Sequence, residues 1–93
     1  MLLVIARYTI SAGHEAEVLA LLPELARQSR TEPDNLAFEA FHNLEDERSV
    51  VLLERYASRE SLEAHRDTPH FQRLVVDQII PRLESRVVET YDV

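Results

Sequence analysis

Apolar residues recur along the chain at spacings that separate strands from helices. Residues 2–10 are rich in Leu, Val and Ile and end at a Ser-Ala-Gly turn, which predicts a first strand. Residues 14–30 carry an apolar stripe at helical spacing, with two glutamates in the first turn, and predict a helix. Pro23 lies inside it and removes one backbone hydrogen bond, so we expect a kink or a broken turn there. The turn at residues 32–35 then ends the helix.

The middle of the chain predicts a hairpin followed by a short helix. Residues 36–43 and 48–56 have the composition of strands, and the four polar residues between them fit a short hairpin loop. Ser58 follows the second strand and can cap a helix over residues 59–66, because its hydroxyl accepts a hydrogen bond from a free backbone N–H. The loop between the strand and this helix is therefore expected to be very short.

The last third of the chain predicts one more helix and one more strand. Thr68 and Pro69 begin a helix, since proline at the first helical position loses no hydrogen bond, and Pro81 ends it. One face of this helix carries Phe71, Leu74, Val75, Gln78 and Ile79. Residues 84–92 predict a final strand. The order predicts an α+β fold in a single domain over residues 1–93, a ferredoxin-like βαββαβ antiparallel sheet with helices on one face.

The two central strands have apolar residues on both faces. Leu2–Ala6 and Val50–Leu53 do not alternate between apolar and polar side chains, as a strand with one solvated face would. Helices can cover only one face in this topology, and soluble proteins rarely expose a large apolar patch. The simplest cover for the other face is a second copy of the chain. We therefore expect a homodimer whose sheets meet face to face.

Composition and charge exclude several classes of function. Ten basic and seventeen acidic residues give a net charge of −7, which argues against nucleic-acid binding. The chain has no cysteine, so disulfides and thiolate chemistry are excluded. No apolar run has the length of a membrane span, and the N-terminal segment lacks the basic flank of a signal peptide. We expect a cytoplasmic protein with no membrane partner.

Glu54 is an unusual residue for its position. It lies in step with Val50, Leu52 and Tyr56, on the strand face expected to be buried. Burial disfavours the charged carboxylate and raises its pKa unless a donor compensates, which makes Glu54 a candidate general acid or base. The alternative is a structural hydrogen bond to a helix end or an arginine.

His65 is the second candidate for proton transfer. It follows Leu62 by three residues, so the two side chains share one helical face. If Leu62 packs on the sheet, His65 lies near the sheet too and can exchange a proton at neutral pH. The alternative is a buried histidine bonded to a backbone carbonyl. A short helix folding back on its strand could bring Glu54 and His65 into contact.

The other histidines do not form a recognisable metal site. No two of the four lie at the i, i+4 spacing of helical metal sites, and we set aside a cluster of Glu54, His65 and His70 on its spacing. His70 is adjacent to the core residue Phe71 and is expected to be exposed. The chain has one glycine, so it has no glycine-rich phosphate loop for a nucleotide cofactor.

The chain resembles the antibiotic biosynthesis monooxygenase (ABM) domain family. The resemblance rests on Gly13 after the first strand, the turn at residues 30–35, Glu54-Arg55-Tyr56 and the segment from His65 to Phe71. It implies a dimeric α+β barrel of two ferredoxin-like protomers. Known members include cofactor-independent monooxygenases of polycyclic or quinol-like aromatics; haem-degrading enzymes and isomerases of small sugar-derived signals are related.

The resemblance also favours one branch of the family over the others. Haem-degrading relatives use an Asn, a Trp and a haem-ligating His at positions that fall on Ala6, His65 and Val75, and none is kept. The better-studied aromatic monooxygenases use a Trp, and this chain has none. Glu on the third strand with His on the short helix is similar to the quinol monooxygenase and small-signal isomerase members.

The resemblance implies a mechanism without a cofactor. A small phenolic or enolisable substrate would bind between sheet and helices, against Tyr8, Phe38, Tyr56, His70 and Phe71. His65, oriented by Glu54, would remove a proton, and the resulting anion could reduce dioxygen directly. The same base could instead move a proton between carbons, as an isomerase does. A third hypothesis is a non-catalytic, stress-associated module that binds a small molecule, since fold alone does not give function.

Overall fold

Four antiparallel strands form one sheet in the order β2–β3–β1–β4 in the computed structural model, which describes all 93 residues. The elements in chain order are β1 (Leu2–Ile10), α1 (Glu15–Ser29), β2 (Asn35–His42), β3 (Ser49–Tyr56), α2 (Arg59–Arg66), a third helix α3 (Phe71–Ile79) and β4 (Leu83–Asp92). The predicted ferredoxin-like βαββαβ topology is confirmed, with element ends within a few residues of those expected.

The hydrophobic core lies between one face of the sheet and the helices. Side chains alternate across a strand, and in β1 the residues at positions 2, 4, 6, 8 and 10 are all buried. Fourteen buried residues from the sheet, α1 and α3 form the main cluster. A smaller cluster of Leu2, Val4, Tyr56 and Leu62 lies under α2. Leu62 therefore packs on the sheet, and α2 is held across the end of β3.

Helix α1 runs unbroken through Pro23, so the expected broken turn is wrong. Pro23 lies on the exposed side of the helix, while Val18, Leu22 and Leu25 are buried against the sheet. The packing of this apolar face holds the helix together where one hydrogen bond is missing. None of the helices combines the length and the hydropathy needed to cross a membrane.

Helix α3 is wound as a π-helix, which the apolar spacing did not indicate. The N–H of Ile80 donates to the carbonyl of Val75, five residues back. Four of the five residues predicted to share a face are buried, and Gln78 is half-buried. Pro81 has no N–H to donate and its ring crowds the carbonyl four residues back, which disfavours continuing the helix through it. A short 3-10 turn over residues 80–82 leads into β4.

The second face of the sheet is also apolar, and no helix of this chain covers it. The half-buried residues Leu3, Ile5, Val51 and Leu53 lie at its centre. Around them lie Phe41, Val87 and Tyr91, each close to half exposed. The strand register places Phe41 beside Val51 and Val87 beside Arg7, which are outward-facing positions. The lack of alternation seen in the sequence therefore corresponds to apolar residues on both sides of the two central strands, β1 and β3.

Candidate active site

Glu54 and His65 line one cavity because α2 folds back over the strand that precedes it. Ser58 caps α2 only two residues after β3 ends, and its side chain accepts a hydrogen bond from the N–H of Ser61. Glu54 is 5% exposed and His65 is 3% exposed. The Nε2 atom of His65 lies 3.9 Å from Oε1 of Glu54, which is close but longer than a hydrogen bond.

Burial decides the protonation of Glu54. Its surroundings raise the pKa of the Glu54 carboxyl from 4.5 to about 7, chiefly because burial penalises the charged form. The hydroxyl of Tyr56 donates to Oε1 of Glu54 over 2.6 Å and works against that rise. Burial and the neighbouring carboxylate in turn raise the pKa of Tyr56, so it stays a phenol and a donor. Near neutral pH, Glu54 therefore populates both of its protonation states.

Glu32 is the residue that hydrogen-bonds His65, and the sequence analysis did not single it out. Its Oε2 atom lies 2.8 Å from Nδ1 of His65, and its Oε1 atom lies 3.1 Å from the same nitrogen. An ionised carboxylate only accepts hydrogen bonds, so Nδ1 of His65 carries the proton and Nε2 keeps its lone pair. Burial lowers the pKa of His65, and Glu32 opposes this. His65 is therefore a neutral imidazole whose basic nitrogen is the one nearer Glu54.

His70 completes a row of three hydrogen-bonded side chains. Its Nε2 atom lies 2.6 Å from Oε2 of Glu32, so this carboxylate lies between two imidazoles. The expectation that His70 is exposed is wrong, because its side chain is only 12% exposed. Glu32 comes from the turn after α1 and is 33 residues from His65 in sequence. No local pattern links the two residues, and only the fold brings them together.

The predicted substrate-binding residues divide into two groups. Tyr8, Phe38 and Phe71 line the same cavity as Glu54 and His65. Tyr56 and His70 do not line it; each hydrogen-bonds a carboxylate beside it. The rings of Phe71, Tyr56 and Phe38 surround the His65 imidazole, with centroids 5.1, 5.4 and 5.8 Å away. These contacts fix the imidazole plane and keep water away from it.

The cavity itself is nearly filled. Its volume is about 10 Å³, which is at the lower limit for a single water molecule. An aromatic substrate enters only if side chains around His65 move. A larger groove of about 340 Å³ lies between α1 and the edge strand β2, but neither Glu54 nor His65 lines it. Glu54 and His65 therefore lie away from the largest groove of the protein.

Glu32, His65 and His70 are also the residues that could hold a metal ion. Their ligand atoms all lie within 4.8 Å of one another. Two ligands of one zinc ion, each 2.0–2.1 Å from it in a tetrahedral site, lie about 3.3 Å apart. The separations of 2.8 and 2.6 Å from Glu32 to the two imidazoles are hydrogen-bond lengths instead. The geometry describes a hydrogen-bonded triad.

Comparison with known proteins shows that the sequence of this chain is similar to one family. The profile of the family described as "Antibiotic biosynthesis monooxygenase" matches residues 1–76. "Putative monooxygenase YcnE" of Bacillus subtilis (strain 168) is 27% identical over 75 residues, which are 81% of this chain and 79% of YcnE.

The similarity to solved structures extends over a larger part of the chain. A crystal structure of an antibiotic biosynthesis monooxygenase is 34% identical, covers 100% of this chain and 98% of its own, and superposes with a TM-score of 0.93. The structure of Rv0793 from Mycobacterium tuberculosis is 25% identical, covers 99% of this chain and 93% of its own, and has a TM-score of 0.90.

The substitution Glu54→Gln is expected to remove a pH dependence of stability. Because the pKa of Glu54 is 4.5 in the unfolded chain and about 7 in the folded protein, the folded protein holds a proton there between these pH values. The bound proton stabilises the folded protein, and its contribution to the free energy of unfolding is on the order of 3 kcal/mol. This contribution is fully present below about pH 4.5 and is lost as the pH rises through about 7. Urea denaturation of both proteins between about pH 4 and pH 8 measures it, and a constant difference between them would contradict the assignment.

The substitution Glu32→Gln is expected to lower the pKa of His65 further, because the carboxylate that opposes desolvation is lost. Long-range nitrogen–proton NMR spectra of the imidazole report both the titration and the tautomer. In the wild type at neutral pH we expect a protonated Nδ1 and a free Nε2. Asp34→Asn is the matched control, since Asp34 lies in the same turn but accepts from Ser61. An unchanged His65 spectrum in Glu32→Gln would refute the assignment.

Proposed function

The chain belongs to the antibiotic biosynthesis monooxygenase family, and on that premise we propose that it is a cofactor-independent monooxygenase of a small aromatic or quinol-like substrate. The observation that carries the proposal is the neutral His65, whose Nδ1 is hydrogen-bonded to Glu32 and whose ring lines a cavity with almost no free volume. This arrangement supplies a base that removes a proton from a phenol without water competing for it.

The proposed reaction begins at Nε2 of His65, which takes the proton of a quinol hydroxyl. The quinolate then transfers electrons to dioxygen, and a carbon–oxygen bond forms at the ring. The oxygen–oxygen bond breaks next: one oxygen atom stays on the product as a hydroxyquinone, and the other leaves as water with the protons released by the substrate. The quinol is oxidised and dioxygen is reduced, so the substrate supplies every electron.

Glu54 is suited to hydrogen-bond the substrate while charge develops on it. Its pKa of about 7 means that a protonated carboxyl is available near neutral pH. A protonated carboxyl can donate to a phenolate oxygen, and its position 3.9 Å from Nε2 of His65 leaves both groups facing one reacting oxygen. The hydroxyl of Tyr56 donates to Oε1, the carboxyl oxygen that also lies nearest Nε2 of His65, and so holds the carboxyl in place.

A non-catalytic binding protein is the second candidate, and the size of the cavity favours it. A volume of about 10 Å³ does not hold an aromatic ring. The monooxygenase therefore requires an opening motion of the side chains around His65, whereas a binding module could use the groove of about 340 Å³ between α1 and β2. Incubation with a panel of benzene and naphthalene quinols under labelled dioxygen separates the two. One labelled oxygen atom in the product supports oxygenation, turnover without dioxygen indicates an isomerase, and no turnover favours the binding module.

Replacing His65 by Ala or Gln is expected to lower the rate of quinol-dependent oxygen uptake by a factor of at least about 100, because the reaction loses its base. Oxygen-electrode kinetics measure the effect. His14→Ala is the control, since the His14 side chain is 45% exposed at the start of α1 and lines neither the cavity nor the groove. Circular dichroism and the melting temperature show whether each variant is folded. Unchanged turnover in a folded His65→Gln protein would remove His65 from the mechanism.

We also propose that the protein is a homodimer whose outer sheet faces meet. The half-buried residues Leu3, Ile5, Val51 and Leu53 form an apolar centre on this face, which a second copy of the chain would cover. The family resemblance implies the same dimeric barrel. In such a dimer the helices and the Glu54–His65 cavity lie on the far side of each sheet.

Leu53→Arg is expected to produce a folded monomer, because it places a charge at the centre of the outer face. Val76→Arg is the matched control, since Val76 is a partly exposed apolar residue on α3, on the opposite side of the sheet. Sedimentation equilibrium at low micromolar concentration measures the mass of each protein. A wild-type monomer under these conditions would refute the dimer.

A further inference from the structure

Only two of the residues that line the Glu54–His65 cavity are exposed to solvent, and both are arginines. They are Arg66, the last residue of α2, and Arg86 in β4. Eleven of the other lining residues are buried and Val88 is half-buried. The cavity therefore meets the solvent at these two residues, and we call this pair the arginine mouth.

Neither arginine of the mouth has a carboxylate partner. All ten basic residues of the chain are arginines, and Asp or Glu pairs with six of them: Arg7, Arg27, Arg48, Arg59, Arg73 and Arg82. Arg30 donates to the backbone carbonyl of Phe38. Arg55, Arg66 and Arg86 remain. In a chain with seventeen acidic residues, two guanidinium groups without a carboxylate partner at one opening are candidates for binding an anion.

The two charges also act on the chemistry inside the cavity. Arg86 lies over the ring of Tyr8, with 5.9 Å between its guanidinium carbon and the ring centroid, and Tyr8 is part of the cavity wall. The positive charges of both Arg86 and Arg66 work against the rise in the pKa of Glu54. Their charges therefore act on the Glu54 carboxyl, which lines the same cavity.

We propose that the arginine mouth binds an oxyanion of the substrate, so that the site selects an aromatic or enolisable acid over its neutral analogue. Guanidinium groups bind carboxylates through paired, charge-assisted hydrogen bonds. A carboxylate held at the mouth directs the attached ring inward, toward Nε2 of His65. The inference rests on the proposed function for the place where the substrate binds, but its test measures binding alone.

The test compares two probes of the same shape, the anionic 2,5-dihydroxybenzoate and the neutral 2,5-dihydroxybenzamide. Calorimetry and NMR titration give the dissociation constant of each. The acid is expected to bind about tenfold more tightly than the amide, which corresponds to one charge-assisted contact. Arg66→Gln and Arg86→Gln are each expected to remove most of this preference and to leave the affinity for the amide unchanged. The preference should also decrease at high salt.

Arg55→Gln is the matched control. Arg55 is exposed and has no carboxylate partner, but it lies in β3 next to Glu54 and points to the opposite face of the sheet. Equal affinities of acid and amide, no effect of either probe on the Arg66 and Arg86 signals at millimolar concentration, or an equal loss in Arg55→Gln would each overturn the proposal. If the acid binds through both arginines and dioxygen is not consumed, the anion site stands and the proposed oxygenation fails.

Discussion

The hydrogen bond between Glu32 and Nδ1 of His65 is the interaction on which the site depends. A buried imidazole without a partner could carry its proton on either nitrogen, and only one of these tautomers presents a base to the cavity. The carboxylate of Glu32 accepts from Nδ1 over 2.8 Å and from His70 over 2.6 Å. It therefore fixes the tautomer of His65, while the rings around the imidazole fix its plane.

The fold makes this interaction from three segments that are far apart in sequence. The turn after α1 supplies Glu32, α2 supplies His65, and the residue before α3 supplies His70. The Ser58 cap turns the chain back over β3, and Leu62 anchors α2 on the sheet. The same fold buries Glu54, so its carboxyl has a raised pKa at the position where proton transfer is proposed.

Charge and packing have separate roles around the cavity. The interior is made of apolar walls with one carboxyl, one phenol beside it and one neutral imidazole, which suits a reaction that must exclude water. Arg66 and Arg86 place the only permanent charges of the lining at its opening. Because the interior is closed and the entrance is charged, the anionic group of the substrate would bind at the surface first, and its reacting ring would then enter the cavity.

The sequence by itself determined the fold, because strand alternation, helical apolar stripes and capping residues are local signals. It also indicated Glu54 and His65, since a carboxylate in an apolar strand and a histidine in step with Leu62 each break a local pattern. Their separation of 3.9 Å, and the choice of Glu32 rather than Glu54 as the partner of His65, were decided by tertiary structure. So were the filled cavity and the π-winding of α3. These features depend on atoms from distant segments meeting within a few ångströms, and no spacing along one segment records such a meeting.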